Sequence, residues 1–263
     1  MIKFCSLFSG SSGNAIFIGT EKTKILIDAG VSKKKIVQVL KSIGEEPGEL
    51  NAVLVSHEHN DHIRGVGFLS RGFDVPVYAN EGTWMSMESK LGGIRTYNRR
   101  TFDTGKGFEI YDLFIHPFEI PHDASDPVGF NIYAGGKKIT IATDIGHMTR
   151  TLLSNLMESD LLFLESNHDV DMLMVGPYPW SLKQRIMGKK GHLSNEMAGK
   201  VIAYLAEKGM RNFIIGHLSK VNNFPELAYR TVYNELASKK IEVGRDVSLN
   251  VAFRNEVGQV VAV

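Results

Sequence analysis

Four side chains able to bind a metal ion fall within six residues of this chain, in the stretch Leu54-Val55-Ser56-His57-Glu58-His59-Asn60-Asp61-His62. Side chains two apart share a face of an extended segment, so His57 and His59 can address one ion from the end of a strand. If the chain turns into a helix there, Asp61 and His62 swing round to a second point, and two neighbouring ions can be held. Imidazole nitrogen and carboxylate oxygen are donors that Zn²⁺ accepts at about 2.0–2.2 Å, and Mn²⁺ or Fe²⁺ tolerate the same mixture.

Two ions need more than four ligands, and the later sequence supplies histidine or aspartate where apolar strands end. Ile120-Pro121 leads to His122, Ile139-Thr140-Ile141-Ala142-Thr143 leads to Asp144, and Phe213-Ile214-Ile215-Gly216 leads to His217. Glu165 closes another apolar run, Leu161-Leu162-Phe163-Leu164, and His192 stands in Gly191-His192-Leu193-Ser194-Asn195 ahead of an amphipathic helix running to about Lys208. Ser194 or Asn195 as helix cap leaves backbone N–H groups free, an anion site beside His192 where a substrate phosphate can dock. Residues 180–192 carry Lys183, Arg185, Lys189 and Lys190 with no acid, just after Tyr178 and beginning with Trp180. Such a mixture suits phosphate contact and base stacking with a nucleic-acid strand, and a solvated basic loop would look the same. Lys220 and Asn222, close after His217, fit phosphate contacts, while a capping role fits Asn222 and Asn223 equally.

The His-x-His-x-Asp-His run resembles the signature of the metallo-β-lactamase superfamily of binuclear metallohydrolases. The resemblance implies His57, His59 and His122 on a first ion, Asp61, His62 and His217 on a second, and Asp144 bridging both. It also implies that Asp28 supports the histidine loop; a plain turn aspartate before Gly30 fits the sequence as well. Glu165 and His192 resemble the strand-end glutamate and the Gly-His-Ser-Thr histidine of ribonuclease Z, which act together as a proton shuttle, although Leu193 displaces the hydroxyl here by one position. Asp61, Glu165 and His192 are therefore the expected catalytic residues. Oxygen-reducing diiron members carry Glu where this chain has His59, together with a flavodoxin domain absent here, so hydrolysis is favoured over redox work. Taken together, Ser-Gly-Ser-Ser-Gly-Asn, Ser-His-Glu-His-Asn-Asp-His, Glu-Ser-Asn-His-Asp, Gly-His-Leu-Ser-Asn and Gly-His-Leu-Ser-Lys-Val-Asn-Asn resemble the YycJ/WalJ/VicX family. That implies a metal-dependent nuclease, a 5′-to-3′ exonuclease on DNA, with two divalent ions per chain, Zn expected and Mn or Fe possible. No inserted β-CASP domain or long exosite arm is evident, which disfavours tRNA 3′ processing. A small-molecule hydrolase acting on a thioester, lactone or cyclic phosphodiester is the alternative.

The elements that must position these donors are legible in outline. A chain of 263 residues, 43% hydrophobic and 22% charged, can bury a large core and is expected to form one domain over 1–263. Residues 2–8, 14–19 and 24–28 read as strands of a meander, with the Ser/Gly loop 9–13 as a tight connection near the active face. Ser32 caps an amphipathic helix stopped by Gly44, and 75–79 is a strand followed by a helix over 82–91 in which Met85 and Met87 fill core. Strands dominate 108–120 and 128–142, with His116 in one of them and His147 near the site without binding. Alternating strands and helices in two similar halves give a four-layer αβ/βα sandwich, of mixed α+β and α/β character. No Gly-x-Gly-x-x-Gly fingerprint argues for a dinucleotide. The lone Cys5 lies in an apolar run and forms no internal disulfide; with no leader pattern and no apolar run of about 18 residues, a cytoplasmic protein without membrane partners is expected. Net charge is only +1, so a nucleic-acid partner, DNA by preference, must be met by a local basic patch.

Overall fold

The computed structural model describes residues 1–263 and arranges them around two seven-stranded sheets. The first runs laterally in chain order through β1 (Lys3–Phe8), β2 (Ala15–Gly19), β3 (Lys24–Ile27), β4 (Ala52–Leu54), β5 (Val77–Ala79) and β6 (Arg99–Thr101). The second runs through β7 (Phe108–Ile110), β8 (Leu113–Glu119), β9 (Val128–Ala134), β10 (Lys137–Ala142), β11 (Leu161–Glu165), β12 (Asn212–Gly216) and β13 (Ser248–Val251). The short β14 (Val261–Ala262) returns to pair antiparallel outside β1. Helices α1 (Lys33–Ser42), α2 (Asn60–Ile63), α3 (Val66–Phe73) and α4 (Glu81–Leu91) belong to the first half. Helices α5 (Arg150–Leu156), α6 (Val170–Val175), α7 (Trp180–Met187), α8 (Asn195–Glu207) and α9 (Pro225–Ser238) belong to the second.

The layering follows from strands that are apolar on both faces. Ile16, Ile18, Ile25, Ile27 and Leu54 point one way and meet Phe130, Ile139, Phe163 and Ile214 from the other sheet. The intervening Phe17, Leu26 and Val53 point the opposite way, onto Ile36, Leu40, Leu69, Trp84 and Met87 of the outer helices. On the second sheet Leu162, Leu164, Phe213 and Ile215 meet Leu152, Ile202, Val232 and Leu236. Each such side chain contributes about 1.5–3 kcal/mol on burial, so three contiguous apolar layers hold helix, sheet, sheet and helix together as the four-layer sandwich.

Each sheet is antiparallel at its start and parallel afterwards, over β3 to β6 and over β10 to β13. Parallel strands end on the same edge, and here the carboxyl ends of β3, β4, β10, β11 and β12 all deliver polar residues there. Asp28, Asp144 and His217, immediately or shortly after β3, β10 and β12, adopt left-handed backbone with φ of 60°, 61° and 56°. Asp and His tolerate that region better than branched residues, and the reversal swings each side chain off the sheet into the shared edge.

Several local expectations are corrected. Met85 is 75% exposed while Met87 is fully buried, because only the latter falls on the inner face of α4. The basic stretch 180–192 is not a loop throughout: residues 180–187 form α7. Phe224, not Asn223, is the N-cap position of α9, and the Asn223 amide turns inward to the carbonyls of Ser166 and Asn167. Ser32 stands at the N-cap position of α1 without a side-chain capping bond. No helix is long and apolar enough to cross a membrane.

Candidate metal centre

After β4 the backbone stays extended through His59, whose φ and ψ are −67° and 147°, and then enters α2. His57 and His59 thus share a face, and Asp61 and His62 are carried round by the helical turn. His57 Nε2 lies 3.1 Å from His59 Nδ1, and His122 Nε2 lies 3.3 Å from the same nitrogen. Donors at 2.0–2.1 Å around a tetrahedral ion stand roughly 3.3–3.4 Å apart, so these three nitrogens have the spacing of three corners of one coordination shell. Asp61 Oδ2 lies 3.6 Å from His62 Nε2 and 3.7 Å from His217 Nε2, and His62 Nε2 lies 3.5 Å from Asp144 Oδ2, defining a second convergence. Asp144 Oδ1 faces the first group, 3.7 Å from His122 Nε2, so one carboxylate spans both.

The inner nitrogens and their partners fix which ring atom is free. His62 Nδ1 meets Asp28 Oδ2 at 2.7 Å, and Asp28 is itself held by the backbone N–H and hydroxyl of Ser56, each at 2.8 Å. His122 Nδ1 donates to the Gly191 carbonyl at 3.1 Å. Glu165, fully buried, receives His217 Nδ1 and His192 Nδ1 on Oε1, both at 2.8 Å, and the N–H groups of Ile145 and Leu193 on Oε2 at 2.7 and 3.0 Å. Each partnered imidazole keeps its Nε2 for the cleft, the tautomer control that metal-binding histidines require.

The charge balance calls for cations. Burial lowers His57 and His122, holding them as the neutral imidazoles a metal needs. Burial alone would raise the carboxyls, but the surrounding imidazoles dominate: Asp61 and Asp144 are drawn far below the usual range, and Glu165 down to about 2. Burial lowers His217 in turn, yet Asp144, Asp61 and Glu165 outweigh it and lift that ring to about 10. The buried Asp144 and Glu165 and the half-buried Asp61 thus demand positive charge at the place where the free Nε2 atoms converge. Asp144 Oδ2 and His217 Nε2, both buried, have no hydrogen-bond partner in the protein. Orphaned donors of this kind cost about 1–3 kcal/mol each unless a ligand takes them up, and divalent ions fit the set.

Above the donors lies a cleft of about 390 Å³ walled by Ser11, Asp123, Tyr178, Arg185, His192 and Ser219, in which Leu182 and Ile186 are the only aliphatic side chains. Residues 23–217 match the family model described as the beta-lactamase superfamily domain. The chain belongs to the metallo-β-lactamase superfamily. Within the superfamily it belongs with the WalJ and YycJ proteins. It is 40% identical over 246 residues to the exodeoxyribonuclease WalJ of Streptococcus pneumoniae serotype 2, covering 93% of this chain and 91% of that one. It is 37% identical over 243 residues to the exodeoxyribonuclease YycJ of Bacillus anthracis, covering 92% of each. Among solved structures, the metallo-β-lactamase fold protein YhfI from Bacillus subtilis superposes with a TM-score of 0.69 at 15% identity, over 98% of this chain and 100% of that one, a likeness of fold. The chain is a metal-dependent hydrolase: the metallo-β-lactamase scaffold carries its divalent-metal donors at the sheet edge.

All seven expected ligands, Asp28, Glu165 and His192 are brought to this edge; the expected phosphate contacts are not all there. Asn195 is fully buried, its amide engaged with Ser166 and Asn223, so it braces the loops behind the site instead of meeting a phosphate. Asn222 is also fully buried and cannot reach the cleft. Ser194 caps α8 through its bond from the Met197 N–H at 3.3 Å, and Lys220 is exposed outside the cleft wall. Lys183 donates to the Met174 carbonyl from a buried position; Arg185, paired with Asp123, is the cation of α7 that lines the cleft. His116 bonds the Gly105 carbonyl and His147 the Lys189 carbonyl, both off the centre.

Sequence reasoning passed over three neighbours. The Asn14 amide lies 3.1 Å from His62 Nε2 and 3.4 Å from Asp61 Oδ2. Asp123 places a buried oxygen 3.3 Å from His122 Nε2. His168, buried and pushed down to about 4 by burial, stands behind Glu165; it falls in the motif Glu-Ser-Asn-His-Asp, where only the glutamate was given a role. The Asn ending the Ser/Gly loop and the Asp following His122 were the available signals.

Proposed function

We propose that this chain is a 5′-to-3′ exonuclease acting on DNA, with two divalent ions, Zn²⁺ by preference and Mn²⁺ or Fe²⁺ as alternatives. His57, His59 and His122 would hold one ion, Asp61, His62 and His217 the other, and Asp144 both. When bound, two such ions supply an activated water and a clamp on the attacked phosphoryl group. The remaining work falls to the protein. Glu165 fixes His192 with its Nε2 towards the cleft and keeps a proton on that ring, ready for the leaving oxygen. Arg185 and Tyr178 in the cleft wall offer phosphate contact and a stacking face to a nucleic-acid strand.

What carries the reading is the combination of this donor set with 37–40% identity, over most of both chains, to proteins named exodeoxyribonucleases. The near absence of aliphatic wall residues also speaks against a thioester or lactone, whose acyl portion wants an apolar pocket. The test is cleavage of end-labelled single- and double-stranded DNA and RNA, with 5′-phosphate, across Zn²⁺, Mn²⁺ and Fe²⁺. Progressive loss from the 5′ end of DNA is expected, abolished in His59→Ala and Asp144→Ala while circular dichroism is unchanged. Cleavage surviving in both variants would overturn the assignment.

A further inference from the structure

On the far side of the loop 9–13 from the metal donors is a second, smaller cavity of about 230 Å³, walled by Ser12, Ser32, Lys35, Arg64 and Arg254 among others, with no acidic residue. Some cations of this surface sit on carboxylates, as Lys24 does on Glu49, Arg99 on Glu81 and Lys137 on Asp160, but here three of them wall one hollow without an acid among them. Lys35, Arg64 and Arg254 make no ion pair, although the whole chain carries a net charge of only +1. Three like charges around one hollow repel one another, and an anion placed among them reverses the sign of that energy.

The cavity is also built in register with the metal centre. The Arg254 guanidinium is pinned, Nη2 to the Leu218 carbonyl at 2.7 Å and Nη1 to the hydroxyls of Ser12 and Ser11 at 3.1 and 3.4 Å. Ser11 lines the metal cleft and Ser12 lines the cavity, so the two spaces are separated by one turn of backbone. Gly10 keeps that turn flat against the arginine: its φ is +146° and a Cβ there would stand 3.0 Å from Nη1. Arg64 follows Asp61 by one helical turn, its N–H bonded to the Asn60 carbonyl at 3.2 Å. A cavity this size lies below the roughly 300–1,000 Å³ of small-molecule sites, and accommodates a single oxyanion group better than a base and sugar.

We propose that this cavity is a phosphate pocket, taking a phosphate of the same nucleic-acid strand whose bond is cut at the metal centre, and so setting how the strand is threaded. The assignment rests on the nuclease reading above. The probe is the metal-loaded protein with a single-stranded phosphorothioate oligonucleotide that resists cleavage, followed by fluorescence anisotropy between 50 and 200 mM salt. Lys35→Ala/Arg64→Ala, at two exposed side chains that line this cavity and not the metal cleft, is expected to weaken binding by on the order of tenfold and to reduce the salt slope by about 0.7, the share of one phosphate contact on a single strand. Turnover of bis(p-nitrophenyl) phosphate by that variant stays at the wild-type level. A loss confined to 5′-phosphorylated oligonucleotide assigns the pocket to the terminal phosphate, and an equal loss with 5′-hydroxyl assigns it to an internal one; both support it. Unchanged affinity and slope, with wild-type DNA cleavage intact, overturn the pocket and leave the nuclease reading standing. If the wild type hydrolyses the small diester but neither binds nor cuts nucleic acid, the nuclease reading fails, and with it the strand-threading role.

Discussion

At the scale of single residues, Glu165 is the group on which two functions meet, because one oxygen receives both His192 and His217. Removing His192 alone should spare the metal: His192→Ala is expected to lower kcat by about 10²–10⁴-fold with metal content, read by elemental analysis, unchanged. Glu165→Gln should cost both, adding a loss of roughly 10–100-fold in affinity for the ion at His217. It should also move the pH profile. Burial lowers His192, but Glu165 outweighs that and raises it, and a proton donor works below its pKa. Without the carboxylate the donor deprotonates earlier, so the alkaline limb of activity shifts to lower pH; an unmoved limb would assign the proton to another group. The ligands were legible in the sequence because His57, His122, Asp144 and His217 follow closely where apolar runs end, and His59, Asp61 and His62 crowd behind the first of them, which a strand tip explains and a core does not. Asn195 and Asn222 were misread for the opposite reason: whether a loop asparagine faces solvent or braces a neighbouring loop depends on contacts made far away in the chain.

At the scale of elements, the strands were readable as short, turn-bounded apolar runs, the pattern that a sheet covered on both faces requires. Helix α7 was not, because its basic residues mask a short apolar side formed by Leu182 and Ile186. Packing between loops is where glycine becomes decisive. Gly30, just beyond β3, lies so close to α2 that a Cβ would stand 1.6 Å from the Asp61 carbonyl oxygen, while its own N–H bonds the Asn14 carbonyl at 2.7 Å. That carbonyl oxygen of Asp61 also accepts the Asn14 N–H at 2.8 Å, so the start of α2 cannot retreat without breaking the link to the loop 9–13. Gly30→Ala is therefore expected to destabilise by about 1–3 kcal/mol and to displace Asp61. Titration calorimetry should show the ion held by Asp61, His62 and His217 weakened more than the one held by His57, His59 and His122. Equal weakening of both would point to general unfolding in place of a local push.

For the whole molecule, the decisive arrangement is that the donors come from both sheets. Asp28 and the 57–62 run hang from the first, His122, Asp144, Glu165 and His217 from the second, and the central apolar layer sets the distance between them. The metal edge is then a seam as well as a reaction centre. Buried carboxylates there repel one another when nothing compensates them, and in the native chain His62 and His217 are raised by those carboxylates despite burial. Binding that occurs only in the folded state stabilises by about 2.7 kcal/mol per site at a hundredfold excess over Kd, and a chain of this size gains roughly 2–4 °C in Tm per kcal/mol. Removing metal with a chelator should therefore lower Tm by on the order of 10 °C, and readdition should restore it in two saturable steps. Asp144→Asn, which weakens the one group shared by both shells, should abolish most of that recovery, whereas Lys35→Ala/Arg64→Ala should leave it whole. A Tm indifferent to chelation would mean that the two sheets are held by their apolar layer alone, with the donors gathered at the edge contributing nothing to its cohesion.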